Sequence, residues 1–335
     1  MPLIDFTDKG LYCSAGDFYI DPWKPVAKAV ITHAHSDHAR PGSTSYLCHT
    51  HSKPLLQLRL GDNHYQTAEW EETVFVNGIK VSLHPAGHMI GSSQIRIEHN
   101  GEVWVISGDY KTEDDGLSGK FEPVKCDTFI TESTFGLPIY KWKPQQEIFQ
   151  DVLDFVAHCR EEKKTAVLIA YSFGKAQRLL QCLPGSCETI YVHGAVWNAH
   201  ETLTKAGWAL PDVVRVTPDI PKEKFPGNVV IAPPSAEGTP WMKRFSPYSV
   251  GICSGWMQVR GSRRRSNADA GFALSDHADW DGLIEAVKGT GASKVFVTHG
   301  FQSAFSRYLN ENGIEAAEVK TEYGQEEEKE TLVTE

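Results

Sequence analysis

The 335-residue sequence contains no C-x-x-C pair, and its seven cysteines fall mostly inside apolar stretches, as at Cys126, Cys159 and Cys253. That pattern suits reduced, buried thiols better than a disulfide framework or a Cys-ligated zinc. No apolar run approaches the roughly 20 residues of a membrane span. The N-terminal Met1-Pro2-Leu3-Ile4-Asp5-Phe6 carries an acid where a signal peptide carries base, so a cytoplasmic location is expected. A basic excess is also missing. The net charge of −10 argues against a generic nucleic-acid coat, whose affinity comes from neutralising phosphates. It leaves room for a local basic groove, because Arg260, Arg263, Arg264 and Arg265 form a compact positive cluster while the segment from Glu322 to Glu328 is acidic. There is no internal repeat and no long linker, and a 41% hydrophobic composition over this length supplies a full core, enough for two domains.

What is present is a dense run of polar chemistry, His33-Ala34-His35-Ser36-Asp37-His38, directly after the apolar stretch 26–32. Three histidines and an aspartate in six positions far exceed loop composition. Two histidines two residues apart in a turn can grip one metal, while the aspartate and third histidine angle toward a second. The spacing is not the i, i+4 pair of a helical zinc protease, so the ligands belong on a strand-to-helix loop. His88, Asp109, His277 and His299 each follow an apolar run or a glycine turn, where a sheet would present them on one rim. Singly each reads as a cap or a satisfied polar group; together with the opening run they read as one site.

Up to about residue 135 the chain shows short β-branched runs at 26–32, 73–76, 79–84, 94–98, 103–107 and 128–131. Asn77-Gly78 and Asn100-Gly101 each separate two of them, a strong hairpin signal, and a mostly antiparallel first half is expected. The pattern then changes. Ile148, Val152, Phe155, Val156 and Cys159 fall at helical spacing within 145–162. Strands at 166–170, 189–192 and 229–232 then alternate with helices at 175–183 and 198–206, an α/β pattern that reads as an inserted unit. Beyond the arginine cluster a strand at 271–274, a helix at 280–288, a strand at 294–298, a helix at 303–312 and a strand at 315–320 are expected. The reading divides the chain into 1–140, an insert at 141–255, a return at 256–320 and an acidic tail at 321–335.

The series Asp21, His33-x-His35-x-Asp37-His38, His88, Asp109 and His299 resembles the metal-binding motifs of the metallo-β-lactamase superfamily. Glu132 in Thr131-Glu132-Ser133-Thr134-Phe135-Gly136, His277 in Ser275-Asp276-His277-Ala278-Asp279, and His299 resemble the three extra motifs of its β-CASP branch, the nucleic-acid nucleases. More narrowly, the chain is similar to the bacterial ligase-associated DNA exonucleases, and the match spans nearly its whole length. The resemblance implies an α/β fold, an αββα sandwich interrupted by an α/β β-CASP domain between the Glu132 and His277 motifs. It also implies two divalent cations, zinc foremost, with manganese or iron admitted because no thiolate selects among them. His33, His35 and His88 would hold one, Asp37, His38 and His299 the other, and Asp109 would bridge. Asp21 would fix a ligand histidine from behind.

Two metals about 3.5 to 4 Å apart can share a hydroxide that attacks phosphorus. On the resemblance, Asp37, Glu132 and His277 are the catalytic groups. His277 would assist the leaving oxygen while Glu132 binds its other ring nitrogen. Substrate contacts are expected from Ser172 and Lys175 in Tyr171-Ser172-Phe173-Gly174-Lys175, a strand-to-helix turn that could receive a phosphate, and from Arg260, Arg263 and Arg264. Trp241, Trp256, Phe173 and Tyr248 are candidates for base stacking. His49, His51 and His64 lie outside the motif series and read as surface histidines. The implied activity is exonucleolytic digestion of single-stranded DNA in repair, with 5′ to 3′ polarity, and a DNA ligase or helicase as pathway partner. A β-CASP ribonuclease is the alternative, and a small-molecule metallo-hydrolase a more distant one.

Overall fold

The computed structural model describes residues 2–259, 261 and 268–323. The expected phosphate-binding Arg260, Arg263, Arg264 and Arg265, and the acidic segment from Gly324 onward, lie outside the described residues. Among the described residues the chain is a mixed α/β protein with three sheets, and its contacts divide it into two compact units, 2–140 with 277–323 and a second within 141–276.

The first unit carries two sheets. One holds β1 (Asp5–Thr7), β2 (Gly10–Cys13), β3 (Phe18–Ile20), β4 (Lys28–Val30), β5 (Ser45–His49) and β6 (His64–Ala68) in that order, with α1 (Lys53–Leu60) between the last two. The first two pairings are antiparallel and the next three parallel. With the pairings of the second sheet up to Ser133 counted, five of nine are antiparallel, so the first half is antiparallel by a narrow margin, as expected. The His33–His38 loop joins β4 to β5 and α1 joins β5 to β6, and such crossovers, unlike hairpins, produce parallel neighbours.

The second sheet runs through β7 (Thr73–Val76), β8 (Ile79–Pro85), β9 (Ser93–His99), β10 (Glu102–Ile106), β11 (Thr128–Ser133), β18 (Lys294–Gly300) and β19 (Glu315–Glu318), each beside the next. Both expected hairpins form. Val76 pairs with Ile79 and His99 with Glu102, and the central residues Asn77, Gly78, Asn100 and Gly101 all have positive φ, as a type I′ turn needs. The period of two along these strands builds the core. Ile79, Val81, Leu83, Ile95, Ile97, Trp104, Ile106 and Ile130 point toward Leu11, Phe18, Ile20, Val30 and Leu47 of the first sheet. Val105, Phe129, Val295 and Val297 point the other way, onto α5 (Trp280–Thr290) and α6 (Gln302–Glu311).

Helix α5 starts where Asp279 accepts the Gly282 amide and stops at left-handed Gly291. It buries Trp280, Leu283, Ile284, Ala286 and Val287, each large side chain worth about 1.5–3 kcal/mol.

The second unit is an all-parallel sheet in the order β14 (Val214–Arg215), β13 (Ile190–Val192), β15 (Val229–Ala232), β12 (Thr165–Ile169), β16 (Tyr248–Cys253) and β17 (Ala270–Phe272). Ala166 and Leu168 face Ile148, Val152, Val156 and Cys159 of α2 (Gln145–Glu161), together with α3 (Lys175–Leu180) and Val196 of α4 (Gly194–Lys205). Val167, Ile169 and Val230 face Phe225, Met242 and Phe245.

Three expectations change here. The unit extends to 276 rather than 255, because β17 pairs in parallel with β16, a strand the hydrophobic pattern did not single out. Helix α3 ends at Leu180, since Pro184 disfavours helical geometry at Leu183. Trp241 and Tyr248, taken as base-stacking candidates, pack against the Phe225–Phe245 core instead.

Candidate metal centre

The histidine run sits in the loop after β4, His88 in the β8–β9 loop, Asp109 just past β10, Glu132 in β11, His277 just before α5 and His299 in β18. All belong to the first unit. The strand ends therefore bring residues more than 200 positions apart onto one rim. Gly300 permits the approach at His299: its φ is +81°, and a Cβ there would collide with the Ser133 carbonyl. The Ser133 hydroxyl donates to the His299 carbonyl at 2.6 Å, tying β11 to β18.

Asp109 is the hub. Its Oδ2 lies 3.5 Å from His33 Nε2, 3.9 Å from His88 Nε2 and 3.5 Å from His38 Nε2, while its Oδ1 lies 3.0 Å from His299 Nε2. His88 Nε2 is 3.0 Å from His35 Nδ1, and His38 Nε2 is 3.6 Å from Asp37 Oδ2. Donor atoms of His33, His35, His88 and Asp109 all fall within 4.8 Å of one another. Ligand bonds of about 2.0–2.2 Å in a tetrahedron put neighbouring donors about 3.3–3.6 Å apart, and the separations here, 3.0 to 3.9 Å, bracket that spacing.

The tautomers agree. Thr32 Oγ1 donates to Asp21 Oδ2 at 2.5 Å, so toward His33 Nδ1, 3.0 Å away, it acts as acceptor. Thr298 Oγ1 donates to the Thr131 carbonyl at 3.0 Å and faces His299 Nδ1 at 3.3 Å in the same sense. His38 Nδ1 meets Asp21 Oδ2 at 2.7 Å. In all three rings a proton is held at Nδ1 and Nε2 faces the cluster. His33 Nε2 and His38 Nε2 are buried yet make no hydrogen bond among the described residues. Buried nitrogens are rarely left so unless something else binds them. The residues fit divalent cations: an all N/O donor set, converging lone pairs and a carboxylate shared between two histidine groups.

Electrostatics of the metal-free protein point the same way. Burial, then the neighbouring His38, pushes His33 well below its usual range. Burial also opposes protonation of His38, but Asp109, Asp37 and Asp21 outweigh it and raise this ring to about 10. Asp109 is held well below the carboxylate range: burial alone would raise it, and His38 and His299 prevail. A cation replaces these protons, so binding and pH are linked.

Beside this cluster, His277 Nδ1 lies 2.9 Å from Glu132 Oε2 and 3.0 Å from Oε1, and Glu132 Oε1 also accepts the Tyr110 amide at 2.7 Å. The His277 ring centre is 4.7 Å from that of His88. A carboxylate that fixes one ring nitrogen leaves the other to act on a reacting atom, and stabilises the ring when it is charged.

The expected phosphate-binding turn is built differently. Lys175 is buried, its Nζ 3.5 Å from Asp276 Oδ2 and over the Tyr171 ring, and Arg178 Nη1 lies 3.0 Å from Asp276 Oδ1. Ser172 is half-buried, and its carbonyl accepts from Gln177, which also takes the Gly174 amide. Lys175 thus has an intramolecular carboxylate partner, and a six-residue helix offers little dipole to a phosphate. His49 is no surface histidine either: it is buried and stacked on Trp70 at 4.2 Å.

Sequence reasoning missed Thr32, Thr298 and Tyr323. The Thr-His pairs were readable as a signal; Tyr323 was not. Its ring stacks on His38 at 4.5 Å and 13°, and burial raises its phenol well above the usual range, keeping it a donor.

No protein-family model matches the chain. A probable DNA ligase of Opitutus terrae is 29% identical over 317 residues, 92% of this chain and 30% of that protein. Endoribonuclease YSH1 of Yarrowia lipolytica is 29% identical over 143 residues, 42% of this chain and 16% of that protein. Cleavage and polyadenylation specificity factor subunit 3 of Dictyostelium discoideum is 29% identical over 120 residues, 35% of this chain and 15% of that one. The chain thus spans less than a third of each of these curated relatives. A solved protein of unknown function from Enterococcus faecalis shares the fold, with TM-score 0.57 and 11% identity over 87% of this chain and 78% of that one. By their names, one of these relatives is a probable DNA ligase and another an endoribonuclease.

Proposed function

We propose that this chain is a two-metal phosphodiesterase that digests single-stranded DNA from its ends, in DNA repair. The observation that carries the reading is the split of Asp109, with Oδ2 turned to His33, His88 and His38 and Oδ1 to His299, beside a carboxylate-held His277. His33, His35, His88 and Asp109 would hold one cation; Asp37, His38, His299 and Asp109 the other. Bound there, zinc, manganese or iron supplies Lewis-acid chemistry: it neutralises phosphate charge and acidifies water.

The protein's own groups do the rest. Asp21 and Thr32 hold the proton of His38 and His33 at Nδ1, and Thr298 does so for His299. Glu132 aligns His277 and stabilises its charged form. Water adds to phosphorus and loses a proton to solvent as the bond to the leaving oxygen breaks, and charged His277 passes its proton to that oxygen, so no free alkoxide forms. Asp37, His277 and Glu132 are the catalytic residues of this reading, while the arginines of 260–265 are proposed to meet the phosphate backbone.

DNA is preferred over RNA because the match to the probable DNA ligase covers 92% of the chain, whereas the endoribonucleases match less than half. Those endoribonucleases favour the second reading, an RNA-processing nuclease. End-labelled single-stranded DNA and matched RNA, each with Zn²⁺ or Mn²⁺, separate the two. Stepwise shortening of DNA supports the first reading, internal RNA cuts with intact DNA the second, and cleavage of neither overturns both.

A further inference from the structure

We propose that Tyr323 is a positioning residue for one half of the metal centre: a latch from the C-terminal segment that holds His38 and Asp21 in place for the Asp37, His38 and His299 cation. The inference rests on the two-cation reading above. Tyr323 touches this half twice. Its ring stacks on the His38 imidazole, and its hydroxyl donates to the backbone carbonyls of Asp21 at 3.0 Å and Ile20 at 3.3 Å. Asp21 is the carboxylate that fixes His38 Nδ1, so ring and hydroxyl brace a ligand and its orienting partner together.

Asp21 needs that brace. Its φ is +41°, a left-handed conformation uncommon for a side-chain-bearing residue and kept only when surrounding contacts determine it. Trp23 meets the other side of the Tyr323 ring edge-on at 5.6 Å, and His299 lies edge-on at 6.1 Å. The segment that delivers Tyr323 is itself anchored. The Val319 amide donates to the Val297 carbonyl, Arg40 Nη2 to the Glu322 carbonyl, and Arg40 Nη1 lies 3.5 Å from Glu322 Oε2.

Tyr323 also closes a small cavity lined by Asp21, His38, Ser107, Thr298 and His299, with room for about one water. Without the ring, solvent would reach the Nδ1 side of His38 and compete for Asp21. Among the described residues, the ring contacts of Tyr323 are His38, His299 and Trp23, with none to His33, His35 or His88. The latch therefore acts on one half-site.

Zn²⁺ titration of the metal-stripped full chain against a competing chelator tests this, with circular dichroism as the folding control. Wild type should show two classes of site. Tyr323→Ala should weaken one class about 10–100-fold and leave the other within about twofold, the scale of losing an orienting partner. Tyr323→Leu keeps the apolar volume and guards against misfolding; it should weaken the same class. Tyr323→Phe keeps the stack and should lose less than either. In a His38→Ala background, Tyr323→Ala should change nothing further. Unchanged affinities in both Ala and Leu variants, or an equal loss in both classes, overturn the latch. A wild type that binds a single zinc removes the two-cation reading beneath it.

Discussion

Among the described residues, a buried cluster of charge in the first unit and one in the second differ in what they leave open. In the second unit Lys175 and Arg178 converge on Asp276, and Arg178 also donates to the Ser275 carbonyl at 2.6 Å. Charge meets countercharge, and the cluster is closed by the protein itself. In the first unit four histidines surround Asp109, the nitrogens of His33 and His38 turn inward without a hydrogen bond among the described residues, and the outer nitrogens are held by Thr32 and Asp21. That arrangement could hold a metal ion. Burial and charge alone do not make a site; lone pairs that converge without partners do.

The contrast breaks first at its hub. Asp109→Ala should abolish cation binding at both half-sites and lower activity by at least about 10³-fold, because its carboxylate faces both histidine sets; metal analysis after gel filtration reads it directly. Retention of two cations would falsify the bridging role. His277→Ala should keep the cations and lower kcat by about 10²–10⁴-fold, the range for a lost general acid. If metal content falls with it, His277 is a ligand, as its proximity to Asp109 and Glu132 permits.

The closed cluster should answer in stability instead. Arg178→Ala removes a guanidinium that faces the buried Asp276 and should cost about 3–5 kcal/mol in urea unfolding, with metal content per folded chain unchanged. A loss of metal at intact stability would show that this cluster also serves the centre.

His49 sharpens the contrast at its smallest scale. Its Nε2 is buried without a hydrogen bond among the described residues, the Glu69 carboxylate 3.8 Å away, yet no set of donors converges on it. Burial, then His51, lowers its pKa to about 4. The unfolded chain, with an ordinary histidine near 6.5, then binds more protons than the folded one between about pH 6.5 and 4. Stability is full above that window and falls as pH drops through it. His49→Gln should remove about 1–2 kcal/mol of the difference between pH 7 and pH 5 and leave metal content untouched. The prediction fails if the variant's pH dependence matches wild type or its metal is lost.

Much of this was legible from residues alone. The candidate ligands are His and Asp at strand ends, each readable singly as a cap but joined by the dense run at 33–38, and Asn-Gly between two strand-like runs favours the left-handed backbone of a tight hairpin. Other features escaped for equally physical reasons. Strand β16 has Ser, Gly and Cys where a core strand shows Val and Ile, so only its neighbours identify it. Lys175 looked available to a phosphate because its partner, Asp276, is about a hundred residues away. β17 was expected, but its sheet was not, because pairing is a property of two segments.

Sequence alone determined the donor types and the spacing that places His33, His35, Asp37 and His38 on one loop. Those follow from local backbone geometry and from which atoms carry lone pairs. Tertiary structure decided which lone pairs face each other, that Asp109 lies between two histidine groups, that Lys175 is spent on Asp276, and that Tyr323 lies against His38. Each of these depends on how strands and helices distant in the chain come into register, and close packing in the interior then gives every side chain its particular neighbours.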